Sequence, residues 1–160
     1  MAGRYASTTD VTSAKSRADI EHEFERYGAT AFAYGWDSGA ATIGFEAEGR
    51  RFLLRIPLPD PADAEFTMSR HANKYARYRL SDEAARERYD QAVRQRWRAV
   101  LLIIKAKLEA VASHITTLEQ EFYAHILLPD GRTVSEATAP AIATAYRTGT
   151  MPALLPGSSS

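Results

Sequence analysis

The spacing of apolar residues is helical near the N-terminus. Between Ser16 and Tyr27 apolar side chains recur every three or four residues, and Gly28 follows directly. This pattern predicts an amphipathic helix over residues 16–27 that ends at a glycine. The residues before it are rich in Ala, Ser and Thr, so we expect residues 1–15 to form a flexible tail.

From residue 31 the spacing changes to every second residue, which is typical of half-buried strands. The alternating apolar residues are Phe32, Tyr34, Trp36, Ile43, Phe45, Ala47, Phe52, Leu54 and Ile56. Turn residues at 37–39 and at Glu48-Gly49 divide the segment into three. We expect a three-stranded antiparallel meander with one aromatic-rich face. Gly35 and Gly44, on the other face, indicate β-bulges or the close approach of a backbone or ligand, and we favour bulges.

After a connector over 62–80, a long helical pattern begins. Ser81 precedes two acidic residues, which favours a helix start, and neither Gly nor Pro occurs from residue 82 until Pro129. We expect a central helix over about 82–112, roughly 45 Å long at 1.5 Å per residue. A break near 113–115 and a capping box at Thr116 and Glu119 predict a second, short helix to Ala124.

The C-terminal part has the pattern of a small β-turn followed by a helix. Residues 125–128 and 132–134 are expected to pair across the turn at 129–131, and a last helix is expected over 135–147. The fold class is therefore α+β, with one domain over 16–150 and an extended tail over 151–160.

Composition narrows the class of protein. The 160-residue chain has no cysteine, which excludes a disulfide scaffold, a zinc ribbon and a thiol nucleophile. The N-terminal residues have no apolar stretch typical of a signal peptide, and the longest apolar run, 99–104, is far short of the roughly 20 residues that span a bilayer. We expect a cytoplasmic protein with no membrane contact.

Charge is balanced over the chain but segregated along it. There are 20 basic and 20 acidic residues in total, whereas residues 70–107 contain 11 basic and 4 acidic residues. A local basic excess of this kind favours contact with nucleic acid phosphates. The candidate phosphate-binding residues are Arg70, Lys74, Arg77, Arg79, Arg94, Arg98 and Lys105, and the candidates for base stacking are Tyr75 and Tyr78.

Both groups of residues also have ordinary structural interpretations. At 100° per residue, Arg94, Arg98 and Lys105 lie within about 40° of one another beside the apolar stripe of the helix. A solvated helix face with extended Arg and Lys side chains has the same pattern. Aromatic residues in a polar connector often anchor it to the core. Nucleic-acid binding and these structural roles stay open as alternatives.

The middle of the central helix is apolar on more than one side. Leu102 and Ile103 point away from the main apolar stripe. Either this segment is covered on both sides within the chain, or these two residues form an oligomer or partner interface.

Signals for catalysis are weak. The four histidines have no metal-ligand spacing, and no phosphate-binding glycine loop or nucleophile motif is present. Asp37, Glu46 and Glu48 resemble the acids of a metal-dependent nuclease, but solvated acids at a hairpin are the more common explanation. We assign no catalytic residue, no metal ligand and no cofactor.

Several stretches together resemble a group of small uncharacterised proteins from bacteriophages, prophages and mobile elements of actinobacteria. They are YGATAFAYGWD at 27–37, IGFEAEGRRFLLRIPLPD at 43–60, RQRWRAVLLIIKAKLEAV at 94–111, EQEFYAHILLPDGRTV at 119–134 and MPALLPG at 151–157. The resemblance implies a role inside a bacterial host cell in replication, recombination or host control. A meander followed by a long basic helix is also similar in topology to the β-β-β-α core of single-strand annealing proteins.

Three hypotheses follow. The first is a non-enzymatic nucleic-acid-binding accessory protein that forms a homo-oligomer and binds single- or double-stranded nucleic acid. The second is a protein-interaction or assembly module that acts through the long helix. The third is a small metal-dependent nuclease.

Overall fold

The fold consists of a three-stranded sheet and a helical layer. The computed structural model describes the backbone of residues 3–37, 39–69 and 77–155, and side chains within these ranges from Ala14 onward. The elements in chain order are α1 (Gly3–Arg26), β1 (Ala31–Trp36), β2 (Ala40–Ala47), β3 (Arg50–Pro57), α2 (Ala64–Thr67), α3 (Asp82–Ala112), α4 (Leu118–Phe122), a 3₁₀ turn (Tyr123–His125) and α5 (Val134–Thr148). The predicted α+β class is confirmed, as are the meander and the long central helix.

The sheet is an antiparallel meander with the order β1-β2-β3. Phe32, Phe45 and Phe52 lie side by side across it, because Phe32 pairs with Phe45 and Phe45 pairs with Phe52. The β2–β3 turn consists of Glu48 and Gly49, both with positive φ, as the two-residue hairpin predicted. All predicted alternating residues therefore lie on one face.

The predicted bulges at Gly35 and Gly44 are wrong. Both glycines lie within an uninterrupted register, opposite Thr42 and Leu53 respectively. A Cβ at Gly44 would meet other atoms only at ordinary contact distances of 3.8 Å or more, and one at Gly35 would meet nothing within 4 Å of it among the described residues. Strands β1 and β2 are therefore regular at these positions, and both glycines lie on the more exposed face of the sheet.

Stacked aromatic rings join the sheet to the helices. The rings of Phe45 and Phe52 are 4.6 Å apart, and Phe24 of α1 stacks on Phe45 at 4.1 Å. Phe122 of α4 meets the Phe45 ring edge-on at 5.3 Å. Trp97 of α3, 1% exposed, contacts Tyr34 at 5.5 Å. One face of the sheet is therefore covered by α1, α3 and α4.

The two long helices lie side by side in this layer. Helix α1 begins at Gly3 rather than near the predicted Ser16, and ends before Gly28, which has a φ of +91°. The Ala29 N–H donates to the Phe24 carbonyl at 2.9 Å, which satisfies a terminal carbonyl of the helix. Among the described helices none is long and apolar enough to cross a membrane.

Helix α3 has the predicted bounds because both ends are capped. The Ser81 hydroxyl accepts from the Ala84 N–H at the start. At the end His114 has a positive φ, and the N–H groups of His114 and Ile115 donate to the Val111 and Ala110 carbonyls at 3.0 Å. The following capping box is one residue later than predicted: Thr117 and Gln120 form it, rather than Thr116 and Glu119. In place of two short C-terminal strands there are isolated bridges, in which Ile126 pairs with Phe52 and Leu127 with Thr133.

We predict that Phe122→Ala lowers the free energy of unfolding by about 3–5 kcal/mol, because Phe122 is fully buried among three other phenylalanine rings. Urea unfolding measures the change. The matched control is Tyr123→Ala, which removes the neighbouring ring, 55% exposed, and is expected to change stability by at most about 0.5 kcal/mol. Equal losses in the two variants would contradict this packing.

We also predict a stability change near neutral pH from His125. Burial lowers the pKa of His125, and the positive charge of Lys107 lowers it further. The unfolded chain then binds a proton more readily than the folded protein, so stability is lost as pH falls through the ordinary histidine value of about 6.5.

Urea unfolding of wild type and His125→Gln at about pH 7.5 and pH 5.5 tests this, since the two conditions bracket that value. The variant should lose less stability on acidification. Hydrogen bonds from Arg132 and from the Thr133 N–H hold the pKa values of Asp130 and Glu136 below the usual range, so their effect comes at lower pH. If His125→Gln loses as much stability as wild type between the two pH values, the assignment to His125 is wrong.

Candidate nucleic-acid interface

The connector between β3 and α3 forms a short antiparallel stalk, which we define as residues 67–69 and 77–80. Met68 pairs with Arg79 in an isolated bridge. The Ser69 N–H donates to the Tyr78 carbonyl at 2.9 Å, and the Leu80 N–H donates to the Thr67 carbonyl at 2.8 Å. The two segments of the connector are thus held together by backbone pairing, in which the bridged residues Met68 and Arg79 are 11 positions apart.

The stalk is anchored to the core by an aromatic contact. Phe66 of α2 is 4% exposed and meets the Tyr89 ring of α3 edge-on at 5.6 Å. This confirms the anchoring role of an aromatic residue in the connector. Tyr78, in contrast, is 53% exposed, and its neighbours Arg77 and Arg79 are also exposed. The other predicted contacts in this region, Arg70, Lys74 and Tyr75, lie outside the described residues.

A polar cleft of about 450 Å³ separates the stalk from α3. The Arg88 guanidinium, part of its lining, donates to the Met68 carbonyl at 2.9 Å. The residues that line the cleft are Ala64, Glu65, Phe66, Met68, Ser69, Arg77, Arg88, Gln91, Ala92 and Gln95. Two guanidinium groups and two amides therefore face the same space, opposed by one carboxylate, that of Glu65.

Arg88, Gln91 and Gln95 were absent from the residues predicted from sequence. Their spacing of three and four places them on one side of a helix, which is a signal that the sequence contains. The spacing alone does not indicate which side of α3 faces the connector, and the position of the stalk in the structure is what identifies these residues as part of the cleft.

Of the predicted helix residues, Arg94 and Arg98 continue the polar surface beyond the cleft. Arg94 is half-buried and Arg98 is exposed, and they lie one turn from Gln91 and Gln95 respectively. Within the described ranges neither arginine makes a hydrogen bond or ion pair. From Gln91 to Leu108 the helix contains no acidic residue.

Lys105 has a different position. Its ammonium lies 3.3 Å from a carboxylate oxygen of Glu23, a residue of α1 that is only 8% exposed. On the opposite side of α3, Lys107 pairs with Glu121 at 3.0 Å. The basic residues of 77–107 therefore do not form one free surface. Lys105 and Lys107 tie α3 to its neighbours, Arg77 and Arg88 line the cleft, and Arg94 and Arg98 form no ion pair within the described ranges.

The acidic residues considered for a metal site are spread out. Asp37 accepts from the Ala40 N–H at the start of β2, and Glu46 lies six residues further along the strand, about 20 Å away. Glu48 lies in the tight turn beyond it. Over the described part of the chain no group of three His, Asp or Glu side chains is placed to hold a metal ion.

The two predicted interface residues are exposed. Leu102 is 67% exposed and Ile103 is 55% exposed, so no described part of the chain covers them.

Comparisons with known proteins found no matching family model, no matching curated protein and no matching solved structure.

We predict that Arg88→Ala loosens the stalk, because it removes the charged donor to the Met68 carbonyl. A hydrogen bond of this kind contributes about 1.5–3 kcal/mol, so amide hydrogen exchange at Ser69 and Leu80 should become about tenfold faster or more. Arg96→Ala, on the same helix and away from the cleft, is the control and should leave both amides unchanged. Equal exchange in wild type and Arg88→Ala would show that this contact does not hold the stalk.

Proposed function

We propose that this protein is a non-enzymatic nucleic-acid-binding accessory protein of the kind carried by bacteriophages and mobile elements. It binds single-stranded nucleic acid along the stalk and the N-terminal half of α3. The accessory role is in replication, recombination or strand annealing within a bacterial host cell.

The cleft is the observation that carries the proposal. Arg77 and Arg88 line it from the stalk and from α3, and the amides of Gln91 and Gln95 lie beside them. Guanidinium groups bind phosphate oxygens with charge-assisted hydrogen bonds, and amides donate to phosphate or sugar oxygens. Arg94 and Arg98 lie in the acid-free run of α3, form no ion pair within the described ranges, and extend this basic surface along the helix.

Tyr78 favours a single strand over a duplex. Its ring is half-exposed between two exposed arginines on a short stalk. Bases in a single strand are unpaired and can stack on such a ring, whereas bases in a duplex already stack on one another. The surface offers phosphate contacts and one stacking platform, which is a sequence-tolerant mode of binding.

We predict that two kinds of variant weaken binding in different ways. Arg77→Ala and Arg94→Ala each remove one phosphate contact, so each should reduce the slope of log affinity against log salt by about 0.7. Tyr78→Ala removes stacking and should cost about 1–3 kcal/mol of binding energy at every salt concentration with the slope unchanged. Fluorescence anisotropy of a labelled oligothymidylate over a salt series measures both.

Matched controls lie at the end of α5. Arg147→Ala and Tyr146→Ala remove an exposed arginine and a ring that is 89% exposed, and neither should change affinity or slope. Absence of binding to single- and double-stranded oligonucleotides at low salt would contradict the proposed function. Preferential binding to the duplex would contradict the single-strand mode.

A further inference from the structure

Among the described residues that line the cleft, Glu65 of α2 is the only acidic one. It faces the same space as Arg77 and Arg88, yet it forms no ion pair and no hydrogen bond within the described ranges. A carboxylate only accepts hydrogen bonds when it is ionised. The acceptor capacity of Glu65 is therefore left for a ligand.

Other polar groups of the cleft are open to a ligand as well. Over the described part of the chain Arg77, Gln91 and Gln95 form no hydrogen bond or ion pair, and Arg88 donates to the Met68 carbonyl with one of its five N–H groups. Guanidinium groups need acceptors, a carboxylate needs a donor, and amides supply either. A ligand that satisfies the cleft presents anionic oxygens with a hydrogen-bond donor close to them.

In a single strand of nucleic acid the sugar decides whether such a donor is present. The 3′ and 5′ oxygens of an internal nucleotide are esterified, so an internal deoxyribose has no hydroxyl group. An internal ribose keeps its 2′-hydroxyl, which is both a donor and an acceptor and lies next to the 3′-phosphate. A deoxyribonucleotide therefore brings only phosphates to the cleft, and the negative charge of Glu65 repels them.

The position of Tyr78 leaves the sugar and phosphate for the cleft. Tyr78 is 53% exposed and does not line the cleft, whereas its neighbour Arg77 does. A base stacked on Tyr78 thus places the backbone of the same nucleotide beside Arg77. The cleft volume of about 450 Å³ is within the range of about 300–1,000 Å³ that is typical of small-ligand sites, which is ample for one sugar and its phosphate.

We propose that the cleft selects RNA over DNA. The Glu65 carboxylate accepts a hydrogen bond from a ribose 2′-hydroxyl, and Arg77 and Arg88 bind the adjacent phosphate. This inference rests on the proposed function, because it concerns which single strand the same cleft prefers. DNA still binds through phosphate contacts and stacking, and RNA binds more tightly by the contact to its sugar.

Three oligomers of equal length and equal base test the sugar contact. They are fluorescein-labelled oligouridylate, oligodeoxyuridylate and 2′-O-methyl oligouridylate, and fluorescence anisotropy measures their affinities. Wild type should bind the ribose oligomer about tenfold more tightly than the other two, which is the effect of one hydrogen bond to a charged group. The 2′-O-methyl oligomer keeps the 2′ oxygen but lacks the donor, so it should bind no better than DNA.

Variants of Glu65 test the assignment to this residue. The readout is the ratio of RNA to DNA affinity, since removal of a negative charge raises both affinities. In Glu65→Ala the ratio should fall to about one. In Glu65→Gln, whose amide oxygen still accepts, it should be about threefold, because a neutral hydrogen bond is about half as strong as a charge-assisted one.

Glu83→Ala is the matched control. It removes an exposed acid at the start of α3 that does not line the cleft, and it should keep the wild-type ratio. A ratio in Glu65→Ala equal to that of wild type would overturn the proposal, even if both affinities rise, because Glu65 would then only repel phosphate.

The failure of this inference differs from the failure of the proposed function. If wild type binds all three oligomers equally, the proposed function stands and RNA selection is wrong. Tight binding of the 2′-O-methyl oligomer, equal to that of RNA, would also overturn the hydrogen bond to Glu65. If none of the three binds even at low salt, the proposed function fails and this inference fails with it.

Discussion

The burial of one aromatic-rich sheet face against the helical layer is the constraint on which the rest of the structure depends. Phe45 and Phe52 stack within the sheet, and Phe24 and Phe122 cover them from α1 and α4. Because Trp97, Ile104 and Leu108 complete the same core, α3 has a fixed rotation about its own axis. That rotation decides which side chains of α3 face solvent.

Two surfaces of α3 follow from this rotation. In its N-terminal half, Arg88, Gln91 and Gln95 turn towards the stalk and form a polar cleft. In its middle, Leu102 and Ile103 turn outward, where no described part of the chain covers them. One helix therefore carries a polar, basic surface and an exposed apolar surface in a fixed relation to each other.

Sequence patterns predicted the elements whose causes are local. The alternation of residues 32–36, 43–47 and 52–56 placed the strands, and Ser81 with an uninterrupted helical pattern placed α3 at its observed bounds. The start of α1 was predicted too late because Ser and Thr, frequent in residues 7–13, commonly favour caps and turns. The sequence predicted Arg94, Arg98 and Lys105 on one side of α3, and the uninterrupted helix places them there, with Lys105 paired to Glu23.

Features that depend on distant residues were not predicted. The ion pair of Lys105 with Glu23 joins residues 82 positions apart, and no local pattern indicates it. The stalk depends on backbone pairing between Met68 and Arg79, in a connector whose sequence has no strand alternation. Because the stalk forms one wall of the cleft, the role of Arg88 and Gln95 in its lining could not be predicted without it. Gly44 appeared to mark a bulge, yet it pairs with Leu53 in a continuous register, and a Cβ there would make only ordinary contacts.

The most direct measurement of the central claim is a map of backbone amide chemical shifts on addition of a short oligothymidylate. The account predicts changes at Arg77, Tyr78, Arg88, Gln91 and Gln95, with the amides of α5 unaffected. No change at the stalk and cleft, or changes centred on another surface, would contradict it.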